Sequence, residues 1–162
     1  MYIVDTSAFI FYSRSYPPDI DIRKWEFIGH LIKKGQLISN SIVRKEISKY
    51  GGHDYLKEEF IKKYNSIFLP LNKIINWSYN TLKDIIELDQ KNHWNLIKEQ
   101  DKHANDEIAD PYILCQALCM NKGRLVSNTV VTSDNGLKKG CEYYKVDVIE
   151  PLDLFRRENK TF

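Results

Sequence analysis

Short apolar runs alternate along the chain with longer stretches of helical periodicity. Runs rich in Ile, Val, Leu, Tyr and Phe predict strands at 2–4, 37–39, 67–69, 130–132 and 146–149. The segments between them predict helices over about 6–14, 22–34, 41–47, 54–64, 73–90 and 106–120. Strands that alternate with helices are typical of a parallel sheet covered on both faces. The pattern therefore predicts an α/β fold.

Glycine and proline residues indicate where several of these elements begin or end. Gly35 is placed to end the second helix, and Asp134-Asn135-Gly136 predicts a turn after the fourth strand. The segment from His93 to Asn105 has a weaker pattern, which suggests helix followed by loop. Pro151 opens a last short helix, because proline is favoured at a first helical position.

Length and composition limit the class of protein. The 162 residues suit one domain, 1–162, and 43% hydrophobic with 28% charged residues is typical of a soluble globular protein. The apolar runs are too short to cross a membrane, and the N-terminus lacks the pattern of a signal peptide, so we expect a cytoplasmic location. A net charge of +2 permits an RNA partner without requiring one.

The three cysteines do not indicate a metal centre. Cys115 and Cys119 lie one helical turn apart on an apolar stripe, with Cys141 left over. Two thiols without a second Cys or His pair make a poor zinc site, whereas free cysteine is often buried. We expect buried structural cysteines. The four histidines show no metal-ligand spacing.

Carboxylates carry the candidate chemistry. Asp5 follows the first strand and Asp134 the fourth, and ligands of open α/β sheets bind beyond the carboxyl ends of strands. Glu46 and Asp110 lie on two of the predicted helices, each beside an apolar stripe. Taken singly, a strand-end Asp more often caps the next helix and a helical Glu is more often solvated, so the hypothesis depends on all four together.

Four neighbouring carboxylates would repel one another unless a cation lies between them. An all-oxygen set of ligands favours Mg²⁺ or Mn²⁺ over zinc. Such an ion, with its bound waters, can activate a water and stabilise the charge of an attacked phosphodiester.

These residues in this order resemble the PIN-domain family. The matching motifs are Ile3-Val4-Asp5-Thr6-Ser7, then 41–47 around Glu46, 109–114 around Asp110, 130–134 ending in Thr132-Ser133-Asp134, and a closing 146–151. Residues 16–19, with Trp25 further on, are similar to an uncharacterised branch of the PIN clan, close to its toxins. The resemblance implies a three-layer α/β/α sandwich whose five-stranded parallel sheet has the order 3-2-1-4-5.

The resemblance also implies roles. It implies a Mg²⁺- or Mn²⁺-dependent endoribonuclease with Asp5, Glu46, Asp110 and Asp134 as catalytic residues. Asp5, Asp110 and Asp134 would hold the metal, and Glu46 would orient the attacking water. The resemblance further suggests a toxin with an antitoxin partner, and a homodimer.

Other residues are assigned around this set. The supporting residues are Thr6, Thr132, Ser133 and Asp106, and either Asp106 or Glu107 could replace or assist Asp110. Basic residues that could guide an RNA backbone are Arg14, Arg44, Lys45, Lys138 and Lys139. The aromatic residues Tyr12, Tyr16 and Trp25 could either stack bases or belong to the core.

Two alternatives stay open. The domain could be a catalytically silent PIN relative that binds RNA or a protein, although all four acids are present. A phosphatase with a strand-end Asp nucleophile usually has a second Asp two residues further on, where this chain has Ser7.

Overall fold

The five predicted strands form one parallel sheet. The structure, a computed structural model, describes residues 1–49, 55–97 and 107–158. The strands are β1 (Tyr2–Val4), β2 (Leu37–Asn40), β3 (Phe68–Leu69), β4 (Thr129–Val131) and β5 (Asp147–Ile149). Their order is β3-β2-β1-β4-β5, with parallel pairs throughout. The predicted order 3-2-1-4-5 is confirmed.

Both faces of this sheet are covered by helices. The helices are α1 (Thr6–Ser15), α2 (Ile22–Lys33), α3 (Ser41–Lys49), α4 (Ile61–Lys63), α5 (Tyr79–Asn92), α6 (Ala109–Asn121), α7 (Asn135–Tyr143) and α8 (Pro151–Arg157). Consecutive strand residues point to opposite faces. Ile3 and Val4 of β1 are both fully buried, as are Val130 and Val131 of β4. The central strands therefore lie in the middle of an α/β/α sandwich.

Several helix boundaries differ from the prediction. The helix predicted over 73–90 begins only at Tyr79, because the Ser78 side chain caps it by accepting from the Thr81 N–H. Residues Leu71–Lys73 form a separate 3₁₀ turn. The segment predicted as one helix over 54–64 contains a π-helix, Tyr55–Phe60, followed by α4. Helix α6 begins at Ala109 rather than near residue 106.

The predicted turn at 134–136 is wrong. Asp134 caps α7, and its Oδ1 accepts hydrogen bonds from the Gly136 and Leu137 N–H groups. Glycine is needed at 136 for close packing, since a Cβ there would lie 2.5 Å from the backbone oxygen of Trp94. The sequence Asp-Asn-Gly therefore starts a helix against the 94–95 backbone.

Two of the aromatic residues proposed for base stacking belong to the core. Tyr12 is fully buried, and its hydroxyl donates to the Pro151 carbonyl at 2.9 Å. Trp25 is 2% exposed, and its Nε1 donates to the Tyr16 carbonyl. The Tyr16 ring is half-buried and covered by the Lys24 ammonium at 4.4 Å from its centroid. A stacking role for Tyr12 and Trp25 is therefore wrong.

The cysteine prediction is confirmed. Cys115, Cys119 and Cys141 are free and buried. Within the described ranges, no helix combines the length and apolar character needed to cross a membrane.

Candidate active site

Two of the predicted acids lie at the same edge of the sheet. Strands β1 and β4 are neighbours, with Val4 paired to Val131, so the residues that follow each strand lie side by side. Asp5 follows β1 directly and donates its backbone N–H to the Val131 carbonyl at 3.1 Å. Thr132, Ser133 and Asp134 follow β4. The sheet thus places Asp5 beside the segment that carries Asp134.

The Asp5 carboxylate is buried, and within the described residues hydrogen bonds reach only one of its two oxygens. It is 1% exposed. Its Oδ2 accepts hydrogen bonds from the Ser7 Oγ at 2.7 Å, the Thr132 Oγ1 at 3.0 Å and the Ser7 N–H at 3.2 Å. Its Oδ1 is also buried and has no hydrogen-bond partner among the described residues. Oδ2 therefore accepts from three donors, whereas no donor in the described part of the chain reaches Oδ1 with normal hydrogen-bond geometry.

Burial raises the pKa of the Asp5 carboxyl above its ordinary value, although the hydrogen bonds from Ser7 and Thr132 oppose the rise. An unsatisfied buried carboxylate oxygen is costly, so such a group usually has a function or a ligand. A cation at Oδ1 would stabilise the ionised form and remove that cost.

Thr132 and Ser7 connect the two strand ends. The Thr132 Oγ1 accepts the Asp134 N–H at 2.9 Å while it donates to Asp5. The Ser7 Oγ accepts the N–H of Ser133, an exposed residue, at 3.0 Å. Asp134 itself is half-buried, and one of its oxygens caps α7.

Glu46 joins two further elements to this edge. Its Oε2 accepts from the Thr6 Oγ1 at 2.5 Å, and its Oε1 accepts from the Ala109 N–H at 2.7 Å. Thr6 is adjacent to Asp5, and Ala109 is adjacent to Asp110. The carboxylate of α3 therefore links the start of α1 to the start of α6.

Asp110 lies in the first turn of α6 and is half-buried. Its charge and that of Asp5 both act on the buried thiol of Cys141. Burial raises the pKa of that thiol to about 12, and the negative charges of Asp5 and Asp110 add to the rise. Both acids are thus within electrostatic range of one buried atom in α7.

The segments that carry the four acids therefore meet, but the described acids do not form a complete set of metal ligands. Considering the described part of the chain, no group of three or more His, Cys, Asp or Glu side chains is arranged to hold a metal ion. Asp5, Glu46 and Asp134 each accept hydrogen bonds from protein donors at the beginning of a helix. Capping was the alternative for the strand-end residues Asp5 and Asp134, whereas the alternative for Glu46 was a solvated side chain.

The oxygen donors at this edge are of the type that hard cations such as Mg²⁺ and Mn²⁺ prefer. Mg²⁺ usually keeps several waters and takes only one or two protein carboxylates, so a cluster of three is not required. The buried Asp5 Oδ1 provides one oxygen without a hydrogen-bond partner within the described ranges. The nearby groups are carboxylates and hydroxyls, which suit hard cations.

The two substitutes considered for Asp110 have different outcomes. Asp106 lies outside the described residues. Glu107 is exposed and its carboxylate is engaged elsewhere, accepting from the Lys45 Nζ at 2.6 Å and from the Tyr112 hydroxyl at 3.4 Å. Glu107 therefore forms a surface ion pair with Lys45, and its part in the site stays a prediction.

The predicted RNA-binding basic residues are dispersed. Arg14 is in the last turn of α1, about 12 Å along the helix axis from Thr6, because a helix rises about 1.5 Å per residue. Lys45 pairs with Glu107, and Lys138 pairs with Glu150. Arg44 and Lys139 are exposed on α3 and α7, the helices that carry Glu46 and follow Asp134.

Ser7 was not among the predicted site residues. Its hydroxyl contacts Asp5, Thr132 and the Ser133 N–H. A serine two residues after an N-capping Asp is a common turn pattern, so the sequence carries no further signal for this role.

A second connection missed by sequence is the buried pair Asn40 and Gln116. The Asn40 Nδ2 donates to the Gln116 Oε1 at 3.1 Å, and the Asn40 Oδ1 caps α3. The pair fixes the helix of Glu46 against the helix of Asp110.

Comparison with known proteins supports the fold. Residues 2–162 match the family model described as "Domain of unknown function (DUF4411)". No curated protein matches the chain. The crystal structure of FitAcB from Neisseria gonorrhoeae is similar, with 16% identity, a TM-score of 0.54, and coverage of 94% of this chain and 99% of that chain. At that identity the similarity supports the fold alone, which is α/β and PIN-like.

Proposed function

The chain belongs to the domain of unknown function family DUF4411, and we propose that it is a metal-dependent endoribonuclease. The observation that supports this most strongly is the buried Oδ1 of Asp5, which accepts no hydrogen bond from the residues that the structure describes. It lies where the segments of Glu46, Asp110 and Asp134 meet. The PIN-like fold is consistent with a nuclease.

In this proposal Asp5, Asp110 and Asp134 hold one or two Mg²⁺ or Mn²⁺ ions, directly or through water. The ion, when bound, lowers the pKa of a coordinated water and stabilises the charge of the attacked phosphodiester. Glu46 is held by Thr6 and Ala109 at the same edge, where its carboxylate orients the attacking water. Ser7 and Thr132 hold Oδ2 of the Asp5 carboxylate, which would leave Oδ1 to hold the ion.

The backbone adds to the binding of an anionic substrate. Helices α1, α6 and α7 begin at Thr6, Ala109 and Asn135, all close to these acids. The N-terminus of a helix carries a partial positive charge that stabilises carboxylates and phosphates. Three helix starts at one edge offset part of the repulsion between the acids and an RNA backbone.

Exposed basic side chains on the helices that carry these acids or follow them can contact the RNA backbone. Arg44 lies two residues before Glu46, and Lys139 lies five residues after Asp134. RNA as the substrate, an antitoxin partner and a homodimer all derive from the resemblance to PIN proteins, and they belong to this proposal.

A cleavage assay tests the proposal. Labelled single-stranded RNA is incubated with the protein in Mg²⁺, in Mn²⁺ or in EDTA, and the products are resolved by size. We expect cleavage only with the metal, and none by Asp5→Asn. Asp84→Asn, an exposed position on α5, is the matched control and should cleave like the natural chain. Metal-independent cleavage, or cleavage by Asp5→Asn, would refute the proposed site.

A catalytically silent RNA-binding module is the second candidate. The helix-capping contacts of Asp5, Glu46 and Asp134, together with the lack of a three-acid cluster in the described residues, favour it. The same assay separates the two, because a silent module binds RNA with equal affinity in metal and in EDTA and cleaves none.

A further inference from the structure

Three aromatic rings lie together near the first turn of α6. Trp77 and Tyr112 stack almost parallel, with ring centroids 6.2 Å apart and planes inclined by 10°. Tyr79 meets Trp77 edge-on, with centroids 5.9 Å apart and an angle of 89°. We call Trp77, Tyr79 and Tyr112 the aromatic platform. It combines the beginning of α5 with the beginning of α6.

The aromatic platform is only partly buried in the core. Tyr79 is 68% exposed, and Ile75, four residues earlier in the chain, is 53% exposed, while Trp77 and Tyr112 are half-buried. The indole Nε1 of Trp77 is buried and finds no hydrogen-bond acceptor in the described part of the chain. Grouped exposed apolar side chains and unsatisfied buried donors both mark surfaces that bind something.

A series of contacts connects the platform to the acidic edge, the edge of the sheet at which Asp5, Glu46, Asp110 and Asp134 lie. Tyr112 lies two residues after Asp110, and its hydroxyl donates to Glu107. Glu107 in turn accepts from Lys45, which precedes Glu46 in α3. A ligand seated on the platform would therefore extend toward the acids past an exposed ammonium group.

We propose that the aromatic platform stacks unpaired bases of single-stranded RNA whose backbone passes the acidic edge. This inference rests on the proposed nuclease function and specifies its substrate. Aromatic side chains bind bases of any sequence, because every base has a π face. The bases of a duplex are paired and stacked on each other, so they are not available to the platform.

Single-stranded RNA suits this surface better than a protein partner does. The platform consists of one exposed ring, Tyr79, and two half-buried rings, Trp77 and Tyr112. Beside it, the exposed Lys45 ammonium would bind a phosphate of the RNA backbone in place of the Glu107 carboxylate. The Lys45–Glu107 pair is well exposed, with side-chain exposures of 60% and 43%, and exposed ion pairs are weak enough to exchange.

Binding without metal tests the inference separately from cleavage. A labelled single-stranded RNA oligonucleotide and its duplex are titrated with the full chain in EDTA, followed by fluorescence anisotropy. Tyr79→Ala should weaken binding to the single strand roughly 5- to 150-fold, the loss typical of a base–aromatic stack. Tyr79→Phe keeps the ring and should bind like the natural chain. Duplex binding should be unchanged in both variants.

Tyr143→Ala is the matched control, since Tyr143 is 55% exposed on α7 and lies outside the platform. Equal affinity of Tyr79→Ala and the natural chain for the single strand would overturn the inference. So would a changed oligomeric state of Tyr79→Ala with unchanged RNA affinity, which would identify a protein-binding face. If binding depends on the Tyr79 ring but no RNA is cleaved with any metal, the nuclease proposal fails while the platform stands.

Discussion

Thr132 donates a hydrogen bond to the buried carboxylate of Asp5 at 3.0 Å, although the two residues are 127 positions apart. The same hydroxyl oxygen accepts the backbone N–H of Asp134. This one side chain therefore aligns the end of β1 with the segment after β4. The orientation of Asp5 follows from this contact, and the proposed metal site depends on that orientation.

Asp5→Asn should abolish metal-dependent cleavage and leave the fold intact. Asparagine has the same shape and keeps an oxygen for the Ser7 and Thr132 donors, but it has no negative charge to hold a cation. The amide is also less costly to bury than the carboxylate, so the melting temperature should not fall by more than a few degrees. Thermal melting followed by circular dichroism checks the stability, and a cleavage assay checks the activity. Full activity would remove Asp5 from the mechanism.

Glu46→Gln and Glu46→Ala should separate catalysis from structure. Gln keeps an acceptor for the Ala109 N–H and can donate to the Thr6 hydroxyl, so it should be nearly as stable as the natural chain. Ala leaves the Ala109 N–H without its acceptor and should cost about 1–3 kcal/mol in urea denaturation. Both variants should lose cleavage. An active Glu46→Gln would assign Glu46 a structural role alone.

Mg²⁺ or Mn²⁺ should raise the melting temperature of the natural chain. A ligand that binds only the native state stabilises it by about 2.7 kcal/mol at a hundred times its dissociation constant. For a chain of this length that corresponds to roughly 5–10 °C. Asp5→Asn should lose the shift, whereas Asp84→Asn should keep it. Equal shifts in all three proteins would indicate that the ion binds elsewhere.

The ion pair between Asp147 and Arg157 should make stability depend on acid pH. The hydrogen bonds from Arg157, at 2.6 and 3.1 Å, hold the pKa of Asp147 below its ordinary value of 3.8. The folded chain therefore binds fewer protons there than the unfolded chain. The stabilisation is present above pH 3.8 and is lost as the pH falls through the lowered pKa.

Because both side chains are about two-fifths exposed, at 39% and 43%, solvent screening should limit this contribution to at most about 1 kcal/mol. Urea denaturation of the natural chain and Asp147→Asn measures it. The variant should be less stable at neutral pH and equally stable near pH 2. A difference that persists unchanged at pH 2 would mean that the charge of Asp147 is not its source.

Gly136→Ala should destabilise the fold more than Gly140→Ala, although both lie in α7. A Cβ at 136 would lie 2.5 Å from the Trp94 backbone oxygen and 3.0 Å from that of Asn95, and backbone cannot easily move. A Cβ at 140 would meet the Leu114 Cδ2 at 2.9 Å, which a rotation of that side chain can relieve. We expect a loss of about 1–3 kcal/mol for Gly136→Ala in urea denaturation. Equal losses would contradict the close packing of α7 on residues 94–95.

The sheet could be predicted because its signals are local. Short runs such as Tyr2–Val4 and Thr129–Val131 are buried on both faces, and continuous apolar runs of that length are typical of parallel strands. The strand order came from the resemblance to PIN proteins. Thr6 and Thr132 were predicted as supporting residues, and each donates a hydrogen bond to a carboxylate, Glu46 and Asp5 respectively. Their part in catalysis stays a prediction.

Helix α7 could not be predicted, because Asp-Asn-Gly is also a common turn sequence. What decides between the two is the backbone of Trp94 and Asn95, which lies some forty residues earlier in the chain. The aromatic platform was missed for a similar reason. Trp77 lies just before α5 and Tyr112 lies in α6, and no local pattern pairs them.

The orientation of each acidic side chain could likewise not be predicted from the sequence. Glu46 is held by the Ala109 N–H, a partner 63 residues away, and Asp134 by the first turn of α7. Such contacts decide whether a carboxylate faces a cation or caps a helix. The sequence could indicate which residues come together, and it could not indicate where each oxygen points.

Anomalous X-ray diffraction from crystals soaked in Mn²⁺ tests the central claim most directly, because it locates the ion against a named oxygen. The account predicts an anomalous peak bonded to the Asp5 Oδ1 at about 2.0–2.2 Å, with Asp110 or Asp134 as a second ligand or bound through water. An Asp5 Oδ1 with no manganese beside it, in crystals that take up the ion elsewhere or not at all, would contradict the account.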